Sequence, residues 1–249
     1  MLRVEGLSRN FGGLMAVNNI SMSVEPGERR AIIGPNGAGK TTFFNLLSGE
    51  MPPAQGRIYL GDQDITSLPS YERARLGIGR TFQRNNLFLN LTVFENIRLA
   101  RQTRAGISHR AFVPIERFAT LHTETEQFLE QFDLLGLADV PARALSYGDQ
   151  RQLEVAVTLS THPKILLLDE PTAGMSPAET TAMTSMIRDM PRNITLMIIE
   201  HDMDVVFGLA DRITVLHYGE VIADGTPEEV QGDPRVMEVY LGLEEGILL

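Results

Sequence analysis

Arg30-Ala31-Ile32-Ile33-Gly34-Pro35-Asn36-Gly37-Ala38-Gly39-Lys40-Thr41-Thr42 is the stretch on which the reading of the fold turns. Its first four residues read as a buried strand. Gly34 to Thr41 satisfies G-x-x-x-x-G-K-[ST] in full, and a helix is expected over Thr42–Ser48, closed by Gly49. Glycines let a backbone wrap closely around phosphates, while the loop amides and the helix N-terminus supply a positive field. Lys40 is placed to reach β and γ phosphates, and the Thr41 hydroxyl to ligate Mg²⁺. Gly34, Pro35, Asn36, Gly37, Ala38, Gly39, Lys40, Thr41 and Thr42 are therefore nucleotide-binding candidates. With glycine near 7% of residues, a chance match in a chain of this length is about one in a hundred. An ordinary glycine turn would also have to attract one of only two lysines, Lys40 and Lys164.

Working outward, Ile165-Leu166-Leu167-Leu168-Asp169-Glu170 is an apolar strand ending in two acids. A buried parallel strand delivers its last residues to the sheet edge where ligands bind in open α/β folds. Asp169 there suits a Mg²⁺ shell, and Glu170 suits orienting or deprotonating an attacking water. Further strands are expected at Leu2–Leu7, Ile20–Val24, Ile194–Ile199 and Ile213–Leu216, with a hairpin of Arg57–Leu60 and Gln63–Ile65 about Gly61-Asp62. Ser176-Pro177-Ala178-Glu179 opens a helix. From Leu87 to Leu145 the pattern turns helical. Thr92-Val93-Phe94-Glu95 is a capping box with Val93, Ile97 and Ala100 on one stripe; Leu121, Phe128, Phe132 and Leu135 form another, stopped by Gly136. The class is α/β: a strand–helix core interrupted by a helical insertion.

Composition narrows the function. The 249 residues contain no cysteine, which excludes disulfides, thiolate zinc sites and iron–sulfur ligation. A net charge of −10 is the wrong sign for a general nucleic-acid binder, so no nucleic-acid partner is expected. Met1–Glu5 carries no apolar signal-peptide core, and no apolar run approaches the ~18 residues of a membrane span, so the expected location is cytoplasmic. The charge is uneven. Eight arginines between Arg73 and Arg110, against the single acid Glu95, make that stretch +7 and leave −17 elsewhere. Such a cluster is a solvated face or a docking face.

Leu145-Ser146-Tyr147-Gly148-Asp149-Gln150-Arg151 resembles the L-S-G-G-Q-Q-R signature of the ABC ATPases. Read from its residues alone, Ser146 and Gly148 stand at a helix N-terminus, an anion site in its own right, and Ser146 with Asp149 also reads as a cap. Other elements of that family follow in order. Phe11 resembles the aromatic that stacks on adenine. Gln83, after Gly79-Arg80-Thr81-Phe82, resembles the glutamine that contacts Mg²⁺ and the attacking water. His201, after Ile198-Ile199-Glu200, resembles the histidine that contacts the γ phosphate. Taken singly, Phe11 reads as core and His201 as a satisfied loop histidine. Two departures stand out: Tyr147 and Asp149 replace the usual Gly and Gln, and Pro171–Ser176 lacks the usual acid.

The resemblance covers about residues 2–241. It implies a P-loop NTPase fold with a RecA-like core, an antiparallel β lobe and a helical subdomain. The core and β lobe would span about 2–84 and 152–241, the helical subdomain about 85–151, and a tail 242–249. It implies ATP and Mg²⁺ as ligands and a second ATPase subunit, identical or a paralogue, facing the first head to tail. Each ATP would then touch one chain's phosphate loop and the other chain's Ser146, Tyr147, Gly148 and Asp149. It also implies two polytopic permease subunits, a solute-binding protein reached through them, and a peripheral place on the inner face of the membrane. Gly77–Gln83, Ala173–Pro177, Ile199–Met203 and Val239–Gly242 look most like branched-chain amino-acid importer subunits, a pattern shared by urea and short-amide importers. The competing readings are an ABC ATPase of assembly or repair, a GTPase or kinase, and a regulator without turnover. The chain contains no Asn-Lys pair for guanine reading, and Glu170 and His201 argue for turnover.

Overall fold

The computed structural model describes residues 1–81, 87–104 and 119–245. Among the described residues, ten strands form two sheets. An antiparallel sheet carries β1 (Leu2–Phe11), β2 (Leu14–Val24), β4 (Gln55–Leu60) and β5 (Gln63–Asp64) in the order β2-β1-β4-β5. The second contains β3 (Arg29–Ile33), β6 (Ile78–Arg80), β7 (Ile165–Asp169), β8 (Thr195–Ile199), β9 (Arg212–His217) and β10 (Glu220–Gly225), ordered β10-β9-β3-β8-β7-β6. All its pairings are parallel except β9 with β10. The strand expectations hold, and β6 and β10 are added to them.

The central parallel strands β3, β7 and β8 are buried along their whole length because both faces are covered. Side chains alternate between those faces. Ile165 and Leu167 join one core with Phe43, Phe44, Leu46 and Leu47 of α1 (Lys40–Ser48) and the inner face of the antiparallel sheet. Leu166 and Leu168 join a second core with α5 (Tyr147–Leu159), α6 (Pro177–Arg188) and α7 (Met203–Leu209). A third core ties α3 (Val93–Arg104) and α4 (Ala119–Gln131) to α5. Leu153 and Ala156 of α5 face this third core, while Val155 and Leu159 face the second. One helix thereby connects the helical insertion to the sheet.

Two expectations are corrected. The second apolar stripe does not run to Gly136: α4 ends at Gln131, and the backbone turns at Asp133 with φ 55°. That shifts the register by one, burying Leu134 and leaving Leu135 exposed. The basic run is also not one face. Arg73 of α2 (Ser70–Leu76) is buried and donates to the carbonyls of Leu46, Leu47, Thr66 and Leu68, closing the C-terminus of α1. Burial pushes its guanidinium down to about 10, still charged at neutral pH. Arg80 is paired inside the protein, and Arg101 is paired with Glu124 at 2.6 Å. Arg84 and Arg110 lie outside the described residues. Counting charges along the chain misses that these arginines serve different neighbours.

Candidate nucleotide site

The phosphate loop leaves the C-terminal end of β3, which lies between β8 and β9 in the sheet. Its shape is dictated by backbone. At Gly39, the N-cap of α1, φ is 101° and a Cβ would lie 2.1 Å from the Ala16 carbonyl oxygen, so no other residue fits. Asn36 and Gly37 are exposed and Ala38 is buried. Lys40 is buried, and its Nζ donates to the carbonyls of Gly34 at 2.6 Å and Pro35 at 3.0 Å. Burial holds this ammonium below its ordinary pKa, against the pull of the Glu170 and Asp169 charges. Thr41 and Thr42 are half-buried in the first turn of α1.

Asp169 ends β7 and Glu170 follows it. The ladder continues one step, with Glu170 N donating to Ile199 O at 2.9 Å. Glu170 then adopts φ 49°, a left-handed conformation that costs a non-glycine residue about 1–3 kcal/mol and clusters at working sites. The surroundings hold it there. Its carbonyl accepts from Arg151 Nη2 at 2.7 Å and from Ala173 N at 3.2 Å. Its side chain meets His201 Nε2 at 2.8 Å. His201 is supported in turn by Glu200, whose Oε2 accepts from the His201 amide at 3.1 Å.

Asp169 is fully buried and pairs with Arg80 Nη2 at 3.3 Å. Burial raises its pKa; Arg80 opposes the shift and Glu170 adds to it. Its other oxygen, Oδ1, is buried without a hydrogen-bond partner among the described residues. An orphaned carboxylate oxygen beside the phosphate loop suits a hard cation. Among the described residues no cluster of three or more His, Asp or Glu side chains could hold a metal alone. That Asp169 oxygen suits Mg²⁺, which is bound through one or two carboxylates together with substrate phosphates. Gln83, expected in the same shell, lies outside the described residues.

The remaining candidates are placed as follows. Phe11 ends β1 and is 46% exposed, so it is available for stacking rather than part of the core; the Arg9 guanidinium lies 5.3 Å from its ring. Ser146 caps α5, and its hydroxyl donates to Asp149 Oδ2 at 2.8 Å while accepting from the Asp149 amide at 3.1 Å. The acid that departs from the family pattern is therefore turned into its own helix cap. Tyr147, the other departure, donates its hydroxyl to the Ala173 carbonyl at 3.1 Å. Gly148 packs against α6, where a Cβ would lie 2.4 Å from Glu179 Oε1. Where the family pattern has an acid in its next loop, this chain places Ser176, the N-cap of α6 in a capping box with Glu179.

Three residues quoted in the motif stretches were given no role in the site by the sequence reading: Arg80, Arg151 and Glu200. Each is nearly closed to solvent and acts across a long loop in the chain, so no local spacing marks it. Arg151 also pairs with buried Glu154 at 2.8 Å.

Comparison with known proteins agrees with the geometry. A family model described as ABC transporter matches residues 17–173, and one described as Branched-chain amino acid ATP-binding cassette transporter matches residues 220–245. The high-affinity branched-chain amino acid transport ATP-binding protein LivG of Escherichia coli strain K12 is 43% identical over 97% of this chain and 98% of its own. BraF of Pseudomonas aeruginosa, of the same description, is 41% identical over 97% and 98%. The lipopolysaccharide export system ATP-binding protein LptB of Acidithiobacillus ferridurans is 35% identical over 97% of each. Among solved structures, the ADP conformation of MJ1267, an ATP-binding cassette of an ABC transporter, superposes with a TM-score of 0.85 at 32% identity, covering 97% of this chain and 98% of that one. The motif resemblance, the sheet topology and these matches agree: the chain belongs to the ABC transporter family, as one of its ATP-hydrolysing subunits.

Proposed function

We propose that this chain hydrolyses ATP to drive import of branched-chain or other hydrophobic amino acids. The observation that carries the reading is the convergence of the Gly34–Thr41 loop, Asp169, Glu170 and His201 at one sheet edge. The identity to LivG and BraF favours the substrate class. Relatives as similar as LptB serve export, so the solute is read by other subunits.

The loop amides and the N-terminus of α1 hold the β and γ phosphates, and Lys40 turns from the Gly34 and Pro35 carbonyls to the phosphate oxygens. Phe11 stacks on the adenine. Thr41, Asp169 and Gln83 would hold Mg²⁺. When bound, the ion neutralises charge on the phosphates. Glu170 orients the attacking water and takes its proton. The water oxygen bonds to the γ phosphorus as the bond to the bridging oxygen breaks, and ADP leaves with that electron pair. His201, already against Glu170, contacts the γ phosphate.

A second ATPase subunit, identical or a paralogue, presents its Ser146–Asp149 turn to the same ATP. The core and β lobe fall at about residues 2–84 and 152–241 and the helical subdomain at about 85–151; the expected tail from 242 is corrected, because a helix runs over Pro234–Glu245. Among the described residues no helix is long and apolar enough to cross a membrane. Attachment to the inner membrane face is assigned to two permease subunits, with a solute-binding protein delivering cargo to them, as the family resemblance implies. Deleting the gene in its source organism should abolish energised uptake of labelled leucine, isoleucine and valine. The wild-type gene should restore uptake and Lys40→Ala should not. Intact amino-acid uptake with loss of urea or short-amide uptake would favour the alternative substrate.

A further inference from the structure

We propose that Glu200 is a positioning residue for hydrolysis, setting Glu170 and His201 in register by holding the chain on either side of them. The proposal rests on the reading of Glu170 and His201 given above. Glu200 is 3% exposed and stands one step beyond β8, in the ladder position beside Glu170. Its Oε1 accepts from Thr172 N at 3.1 Å and Thr172 Oγ1 at 2.6 Å, and its Oε2 accepts from His201 N at 3.1 Å. All three partners donate to the carboxylate, and two of them, the Thr172 and His201 amides, cannot accept. The carboxylate thus ties the segment two residues after Glu170 to the backbone of the histidine that meets the Glu170 side chain. Thr172 is 7% exposed, so water does not readily replace the contact.

A donor-only amide at each end makes the substitution informative. Glutamine has the same shape, but its NH₂ would face a donor at either the Thr172 or the His201 end. A shift of about 1 Å in a reacting group costs up to 10²-fold in rate. In the purified full-length chain, Glu200→Gln should lower kcat for ATP hydrolysis about ten- to hundred-fold, with the KM for ATP changed by less than about twofold. Thr172→Val should lower kcat by a smaller factor, and Thr172→Ser, which keeps the hydroxyl, should retain the wild-type rate. The Glu200→Gln/Thr172→Val double variant should lose little more than Glu200→Gln alone.

Wild-type kcat in Glu200→Gln, or losses that multiply independently in the double variant, would overturn the proposal. Should Glu200→Gln yield no folded protein, the Thr172 pair decides: equal rates in the Val and Ser variants overturn it. Glu170→Gln measured in parallel separates the two claims. If it hydrolyses ATP at the wild-type rate, the role given to Glu170 falls and the proposal falls with it. If it is inactive while Glu200→Gln and Thr172→Val are normal, only the role of Glu200 falls.

Discussion

The two halves of the nucleotide site are built by different means. The phosphate loop is specified locally: a run of eight residues whose glycines permit backbone angles closed to other residues, fixed on the first turn of α1. The opposite half, Asp169 to Thr172 with His201, is specified by side chains from afar. Arg80 comes from β6, Arg151 from α5 and Glu200 from the end of β8. The first half is a shape that the backbone adopts by itself. The second is a conformation with a positive φ at Glu170, held by groups buried at some cost.

That contrast predicts unequal responses to mutation. The largest effect is expected at Arg151. Arg151→Met removes the buried cation paired with Glu154 and the donor to the Glu170 carbonyl, so unfolding free energy should fall by about 3–5 kcal/mol. Arg151→Met/Glu154→Leu removes both charges and should recover most of that loss in denaturant titrations. Turnover should not recover with it, because the Glu170 carbonyl still lacks the Arg151 donor. A double variant that regains both stability and kcat would show that the Arg151 contact to Glu170 does not matter for chemistry.

A smaller effect is expected in the loop. Gly39→Ala places a Cβ against the Ala16 carbonyl, a backbone atom that cannot swing away, and should cost about 1–3 kcal/mol. The loss should appear chiefly as weakened ATP binding, read by fluorescent-nucleotide titration, since the loop has to distort. Unchanged affinity would mean that the glycine serves only packing.

How much was legible follows the same division. The loop, the Asp169-Glu170 strand end and the capping boxes at Thr92 and Ser176 were readable because each is a short-range pattern with a backbone cause. His201 and Phe11 needed the resemblance, since neither residue type carries information alone. Arg80 and Asp169 are 89 positions apart and Thr172 and Glu200 are 28, and no periodicity connects them. The arginine cluster was misleading for a related reason. Charge summed along a segment is blind to burial, and Arg73 and Arg80 point inward to a helix end and a carboxylate. Leu135 was misplaced because nothing in the helical spacing announces the left-handed turn at Asp133.

The smallest predicted effect tests whether the N-terminus of α5 is open to a partner's nucleotide. Its own chain occupies it: Asp149 accepts the hydrogen bond of the Ser146 hydroxyl, and Glu179 packs over Gly148. Ser146→Ala removes the cap and should cost about 0.5–2 kcal/mol of stability. Asp149→Ala leaves the Ser146 cap in place, because that bond uses the backbone amide of residue 149, and removes only a first-turn acid worth about 0.3–1 kcal/mol. The freed hydroxyl can then donate to a phosphate oxygen, and one negative charge is gone from beside the triphosphate. In a Glu170→Gln background, where hydrolysis is blocked, Asp149→Ala should therefore lower the ATP concentration needed for dimerisation, measured by sedimentation velocity. Added salt should narrow the difference, because part of it is Coulombic. An unchanged ATP requirement would mean that Asp149 stays clear of the bound nucleotide and acts only as a cap.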